Sequence, residues 1–208
     1  LNRGIANRFH QDGAHGIYSF NWHADRSTRR ELLTQIGSPQ TLRCQDKIYA
    51  ATHRIVVKEG AWRGAFRGDR ILGDVPVPLK QTLTADGPTA NIDIADDVQS
   101  DSAERIELRV RLDQWVDGDV VNLLWDGQKI DDPKIQYDIE TDQYANPFAA
   151  NVSDVGTAVW ITSELSSSQS RIGRHRVKVV LEKRNPKVAC DIILTDVEVV
   201  ISYPHGPG

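Results

Sequence analysis

The chain has 208 residues, of which 39% are hydrophobic and 26% charged, and its formal net charge is -4. These values are ordinary for a globular protein of one or two domains, and they argue against a nucleic-acid partner, which would require a clustered basic surface. No apolar run approaches the roughly 18 residues that a membrane-spanning helix needs. The sequence begins without a signal-peptide pattern and contains no Met, so we expect it to be part of a longer or processed chain.

The first fifty residues predict a helix, a strand and two further helices. An amphipathic helix is followed by the run 16–22, which is compact, apolar and aromatic, as is typical of a buried parallel strand. Ser27 is a candidate cap for the second helix. Pro39 is a favourable first residue for the third helix, in which Ile48 and Tyr49 would face inward.

The predicted strand at 16–22 has no predicted neighbour in this chain. A lone strand leaves its backbone N–H and C=O groups unpaired, and the later strands have the pattern of a separate antiparallel layer. We therefore expect its neighbours to come from an upstream segment or from a partner chain.

The rest of the sequence predicts an antiparallel β-sandwich or jelly roll. The division that we expect is an α/β segment at 1–52, an irregular connector at 53–80 and the sandwich at 81–208. Residues 105–112 alternate between charged and apolar side chains almost without fault. The dipeptide Asp126-Gly127 indicates a tight hairpin.

Two cysteines, Cys44 and Cys190, are too few for a disulfide framework. We interpret them as buried free thiols, with a single bridge between them as the alternative. Their spacing does not match a zinc site, and the sequence indicates neither a metal nor a cofactor.

The end of the predicted strand is the most informative place for function. Tyr18, Asn21, Trp22 and His23 would lie together there, and the ends of strands are where functional groups gather in an α/β barrel. An indole can stack on the C–H face of a sugar ring, while amide and imidazole groups hydrogen-bond its hydroxyls. The alternative is that Trp22 packs at a barrel rim and that His23 is a satisfied loop residue.

Further aromatic residues could form a carbohydrate platform if they were exposed, and otherwise they belong to the core. The secondary candidates of this kind are Trp62, Trp115 and Trp125.

Catalytic residues stay unassigned. Cleavage of a glycosidic bond requires two carboxylates on either side of it, and no such pair is visible. Asp25 is better explained as a helix cap, and the adjacent Asp96 and Asp97 as a solvated turn.

Two N-terminal segments resemble the last βα unit of bacterial TIM-barrel glycoside-hydrolase-like proteins. The first is Asp12–Trp22, which reads DGAHGIYSFNW, and the second is Leu33–Tyr49, which contains IGSP and DKIY. The strands and turns from residue 75 to residue 203 are similar to the all-β tail that follows the barrel in those proteins.

The resemblance implies a carbohydrate-active parent protein with Asn21 and Trp22 at its sugar-binding rim. The first seven βα units and their catalytic acids are absent, so this chain alone is not expected to be catalytic. The implied function is that of the C-terminal portion of such a protein, with the sandwich as a structural or accessory domain. By analogy, we expect an extracellular or periplasmic location. A non-catalytic carbohydrate-binding module and a structural subunit of an assembly are the alternatives.

Overall fold

The computed structural model describes the following residues: 1–18, 27–53, 55–56, 71–81, 86–138 and 157–204. Within them, three α-helices lie near the N-terminus: α1 (Asn2–Gln11), α2 (Ser27–Ile36) and α3 (Pro39–Leu42). The strands, numbered in chain order, are β1 (Lys47–Ala50), β2 (Ile55–Val56), β3 (Ile71–Leu72), β4 (Val77–Leu79), β5 (Thr89–Ile94), β6 (Arg105–Trp115), β7 (Val120–Trp125), β8 (Gln128–Lys129), β9 (Lys134–Tyr137), β10 (Thr157–Glu164), β11 (Gly173–Lys183) and β12 (Ile192–Ser202).

The described part of the chain is mainly β and is built on two antiparallel sheets. One sheet has the order β1-β12-β6-β10-β9, with β4 also paired to β12. The other has the order β5-β11-β7-β8, and β2 pairs with β3 apart from both. One hydrophobic cluster contains residues of both sheets, which gives a sandwich-like arrangement and confirms the predicted mainly β, antiparallel architecture.

Strand β6 follows the predicted alternation. Ile106, Leu108, Val110 and Leu112 face the core and are at most 5% exposed. Burying side chains of this size contributes roughly 1.5–3 kcal/mol each, so this strand is a main source of core stability.

The predicted hairpin joins β7 and β8. Asp126 has a φ of 48° and Gly127 a φ of 86°, and two successive positive values are what a tight two-residue hairpin of this kind requires. The Asp126 carboxylate also accepts a hydrogen bond from the Arg176 amide at 2.8 Å, which fixes the turn to β11.

The prediction of a long third helix is wrong. Helix α3 begins as expected, with the Ser38 side chain accepting from the Gln40 amide and Pro39 in the first position, but it ends at Leu42. Ile48 and Tyr49 lie instead on β1, which pairs antiparallel with β12. Pairing with a distant strand has overridden the local helical pattern there. The three-part division of the chain stays a prediction.

The two cysteines are free, as predicted, but neither is buried. Cys44 is exposed and Cys190 is half-buried. Of the strand predicted at 16–22, residues 16–18 are described and are not part of a strand, while residues 19–22 lie outside the described part.

Helix α1 approaches β1 most closely at Gly4. A Cβ atom at this position would overlap the backbone oxygen of Ile48. We therefore expect Gly4→Ala to lower the free energy of unfolding by about 1–3 kcal/mol, even though Ala is the better helix former. Urea denaturation measures this change. Gly16→Ala is the control because no neighbouring atom lies within 4 Å of its added Cβ, and an equal loss in both variants would contradict the prediction.

Candidate functional site

The residues predicted to bind a sugar at the strand end are largely outside the described part of the chain. Tyr18 is described and its side chain is 87% exposed. Asn21, Trp22 and His23 lie outside it, as does Trp62 of the connector.

The two sandwich tryptophans proposed as platform residues belong to the core. Trp115 is 4% exposed and Trp125 is 2% exposed. The Trp125 ring stacks on the His175 ring with centroids 4.6 Å apart, and its Nε1 donates to the Gln169 carbonyl at 2.9 Å. Neither indole has a free face for stacking on a ligand, so the structure does not bring them into a binding site.

Helix α1 turns its apolar stripe away from the sandwich. Its inward side carries Ala6, which is buried, and the amide side chain of Asn7. At 100° per residue, Leu1, Ile5 and Phe9 lie on the opposite side, and they are 53%, 45% and 52% exposed. This polarity is the reverse of that of an ordinary surface helix.

The three helices form one helical cap, by which we mean α1, α2 and α3 together. Ala6, Ile36 and Leu42 form a small hydrophobic cluster that is separate from the main core. Leu33 of α2 is 38% exposed and adds an apolar side chain to the surface of the cap.

A buried polar network lies between α1 and the sandwich. Lys47 Nζ is 3.0 Å from Asp96 Oδ1, and the two side chains are 0% and 4% exposed. Asn7 Nδ2 donates to the same Asp96 oxygen at 2.9 Å and to the Tyr49 hydroxyl at 2.9 Å. Lys47 Nζ also lies 5.1 Å from the centroid of the Tyr203 ring. The network therefore joins the helical cap to both sheets.

Burial controls the proton affinities of this network. Loss of solvation raises the pKa of Asp96, and the neighbouring Lys47 opposes that shift. Burial also raises the pKa values of Tyr49 and Tyr203, so both hydroxyls stay protonated. The prediction that Asp96 forms a solvated turn is therefore wrong. Asp96 continues the inward alternation of β5, and only Asp97 is exposed.

The outer face of the six-stranded sheet is charged. Glu107 is only 5% exposed, and Arg105 and Arg109 on the same strand both donate hydrogen bonds to its carboxylate. Arg109 pairs across strands with Glu198. Burial and the nearby Asp196 carboxylate raise the pKa of Glu198. Positively and negatively charged side chains therefore lie side by side on this face.

One aromatic side chain lies within the charged face. Trp160 Nε1 donates to Asp138 Oδ2 at 2.9 Å, and Arg111 Nε donates to the same oxygen at 3.1 Å. Arg111 also lies 2.7 Å from Asp113 Oδ1. An indole held beside guanidinium and carboxylate groups is a combination that can contact a polyhydroxylated ligand.

A cavity of about 440 Å³ opens where β6, β10 and β12 approach one another at one end of this sheet. It is lined by Glu104, Arg105, Ile106, Glu164, Leu165 and Ser202. Its charged groups extend the polar face, and Arg105 is common to both.

The described residues do not form a metal centre. No three His, Cys, Asp or Glu side chains among them are grouped so that they could hold an ion. The helices in the same part of the chain are all too short or too polar to cross a membrane.

The fold and its surfaces define a mainly β protein of two antiparallel sheets with an N-terminal helical cap. No protein-family model matches this sequence, and no curated protein matches it significantly.

Proposed function

We propose that this chain is the accessory β-sandwich portion of a glycoside-hydrolase-like, carbohydrate-active protein, and that its helical cap packs against an α/β domain. The observation that carries the proposal is the reversed polarity of α1. Ile5 and Phe9 lie one turn apart on the exposed side of the helix, and Leu1 continues the same stripe.

The exposed stripe supports a second packing partner for the cap. Each of these side chains is about half exposed, so covering it would contribute roughly half of the 1.5–3 kcal/mol that full burial of a large apolar side chain provides. The inner side of this helix contacts polar groups of its own domain, and its outer side exposes apolar groups. A second layer packed on the outer side would remove those apolar groups from water. An α/β domain on the far side of α1 would provide the second layer.

The sequence between α1 and α2 supports the same partner. The run that ends in Ser19-Phe20-Asn21-Trp22 resembles the eighth strand of a barrel, and such a strand requires parallel neighbours. Tyr18 at its start is 87% exposed, as expected for a side chain whose neighbours belong to another domain.

A second candidate function is carbohydrate binding on the outer face of the six-stranded sheet. It is favoured by the contact of Trp160 and Arg111 with Asp138 on this face. Weakened retention on polysaccharide gels in the Trp160→Ala variant, with retention unchanged in Trp115→Phe, would support this function.

The packing proposal is tested on the native protein purified from its source. We expect denaturing mass spectrometry and light scattering to show either a longer chain or a stable complex with an α/β partner. In that native protein, Ile5→Glu with Phe9→Glu should lower the melting temperature or release the partner. Asn2→Glu with Gln11→Glu is the matched control, because these positions are exposed and polar on the same helix.

A monomer with the mass of these 208 residues would contradict the packing proposal. An equal effect of the apolar and polar double substitutions would also contradict it.

A further inference from the structure

The Lys47–Asp96 pair is buried far more completely than ion pairs usually are. Lys47 is 2% exposed and Asp96 is 3% exposed, and Lys47 Nζ lies 3.0 Å from Asp96 Oδ1. Removing an ammonium and a carboxylate from water is unfavourable, and their mutual attraction recovers that loss only if every remaining polar atom finds a partner.

One of the two Asp96 carboxylate oxygens lacks a hydrogen bond among the described residues. Asp96 Oδ2 is buried and has no hydrogen-bond partner among the described residues. Asp96 Oδ1, in contrast, receives hydrogen bonds from Asn7 Nδ2 and Lys47. The Tyr49 hydroxyl, which accepts a hydrogen bond from Asn7 Nδ2, also lies beside the Asp96 carboxyl group.

The same neighbouring groups would provide every hydrogen bond that an amide at this position requires. An amide between the two side chains has one oxygen, for which Asn7 and Tyr49 are donors, and one N–H group. Lys47 Nζ already lies 2.9 Å from the Gln45 carbonyl oxygen, which would accept that N–H. No oxygen would then be left without a partner, and no charge would be buried.

We propose that Lys47 and Asp96 condense in the folded protein to form an intramolecular isopeptide bond. A proton passes from the Lys47 ammonium to the Asp96 carboxylate at Oδ1, the oxygen that Nζ contacts, and the resulting neutral acid carries it on Oδ2 beside a neutral amine. The Nζ–Cγ bond forms while Asn7 and Tyr49 stabilise the charge that develops on Oδ1. A second proton moves from Nζ to Oδ2, the Cγ–Oδ2 bond breaks, and one water molecule leaves without any oxidant or cofactor.

The location of the pair favours this reaction. Desolvation, which raises the pKa of Asp96, favours the neutral acid that the reaction requires. The Tyr203 ring covers the amine, and Tyr203 itself is only 1% exposed. The bond would connect β1 of the six-stranded sheet to Asp96, which lies two residues beyond the end of β5 of the other sheet.

The chain contains an internal control for this chemistry. Lys178 Nζ and Asp86 Oδ1 are 3.1 Å apart, but their side chains are 40% and 67% exposed. Water solvates both ions there, so this second pair should stay an ion pair.

The test is the intact mass of the folded and then denatured 208-residue protein. The wild-type chain should be lighter by one water molecule than its sequence predicts, and peptide mapping should find Lys47 joined to Asp96 while Lys178 is free. Lys47→Arg should have the full mass. Asn7→Ala and Tyr49→Phe should lower the condensed fraction several-fold, with circular dichroism confirming that they fold.

A full wild-type mass after prolonged incubation of the folded protein overturns the proposal. So does a water loss that maps to a succinimide at Asp12-Gly13, Asp86-Gly87, Asp117-Gly118 or Asp126-Gly127, or one that persists in Lys47→Arg. The result does not depend on whether the helical cap packs against an α/β domain, so the two proposals can fail separately.

Discussion

Replacing Asp119 with Ala should lower the free energy of unfolding by about 3–5 kcal/mol, since it leaves a buried guanidinium without its counter-ion. The Asp119 side chain is fully buried, and it pairs with Arg184, which is 11% exposed. The same carboxylate accepts the Val116 amide at 2.9 Å and the Asn185 amide at 2.8 Å. One substitution therefore removes an ion pair and two backbone hydrogen bonds between neighbouring loops.

Chemical denaturation of the Asp119→Ala variant measures this loss. Asp86→Ala is the control, because it breaks an ion pair with Lys178 that is exposed to solvent and should change stability little. If Asp119→Ala and Asp86→Ala lowered the free energy of unfolding by the same small amount, the buried pair of Asp119 and Arg184 would contribute no more than the exposed pair. Adding Arg184→Met to Asp119→Ala should recover part of the loss, because the uncompensated charge is then removed.

The second large effect is expected for His175→Leu, at about 2–4 kcal/mol. His175 is fully buried, with Nδ1 2.8 Å from Asp126 Oδ2 and Nε2 2.7 Å from the Arg171 carbonyl oxygen. The partners of the two ring nitrogens, a carboxylate and a carbonyl oxygen, are hydrogen-bond acceptors. Leu would leave both acceptors unsatisfied and would remove the ring that stacks on Trp125.

Denaturation followed by Trp fluorescence tests the His175 prediction. Val180→Leu, a size change at another buried position of β11, is the control for general disturbance of the core. A His175→Leu variant that is as stable as wild type would show that the two hydrogen bonds contribute nothing net.

The contact between Asp126 and His175 should stabilise the fold less at acid pH. Burial alone would raise the pKa of Asp126, but hydrogen bonds from the Arg176 amide and from His175 outweigh it and lower the pKa. A carboxyl group whose folded-state pKa is depressed contributes stability above its unfolded value of 3.8 and loses it as the pH falls through the folded value. The stability difference between wild type and Asp126→Asn should therefore shrink below about pH 4, and a constant difference across pH 2–7 would contradict this assignment.

The sequence predicted those parts of the fold that depend on local periodicity and turn chemistry. In β6 the apolar residues at every second position are buried, and in the β7–β8 hairpin Asp126 and Gly127 adopt the positive φ values that the turn requires. Both signals act over a few residues, so they can be read without knowing any distant partner.

The structure departs from the sequence analysis where distant pairing decides the outcome. The four residues of β1 are too few to distinguish a strand from a helix by periodicity, and their partner in β12 is far along the chain. The adjacent acids Asp96 and Asp97 favour a solvated turn, whereas the alternation of Asp96 with Ile94 indicates that Asp96 is buried. The signal that could have found the pair is an acid that continues an apolar strand, since such a group requires a buried partner.

The position of β12 inside the six-stranded sheet has a consequence for how the protein is made. Its neighbours β1, β4 and β6 all precede it, and Lys47 pairs with Ile201. A nascent chain therefore carries β1 with its hydrogen-bonding edge unpaired for roughly 150 residues of synthesis, and contacts of such long range also fold slowly. Until residue 202 has emerged from the ribosome, β1 and β4 lack the strand that joins them to β6, and β6 presents an open edge to which another chain could pair.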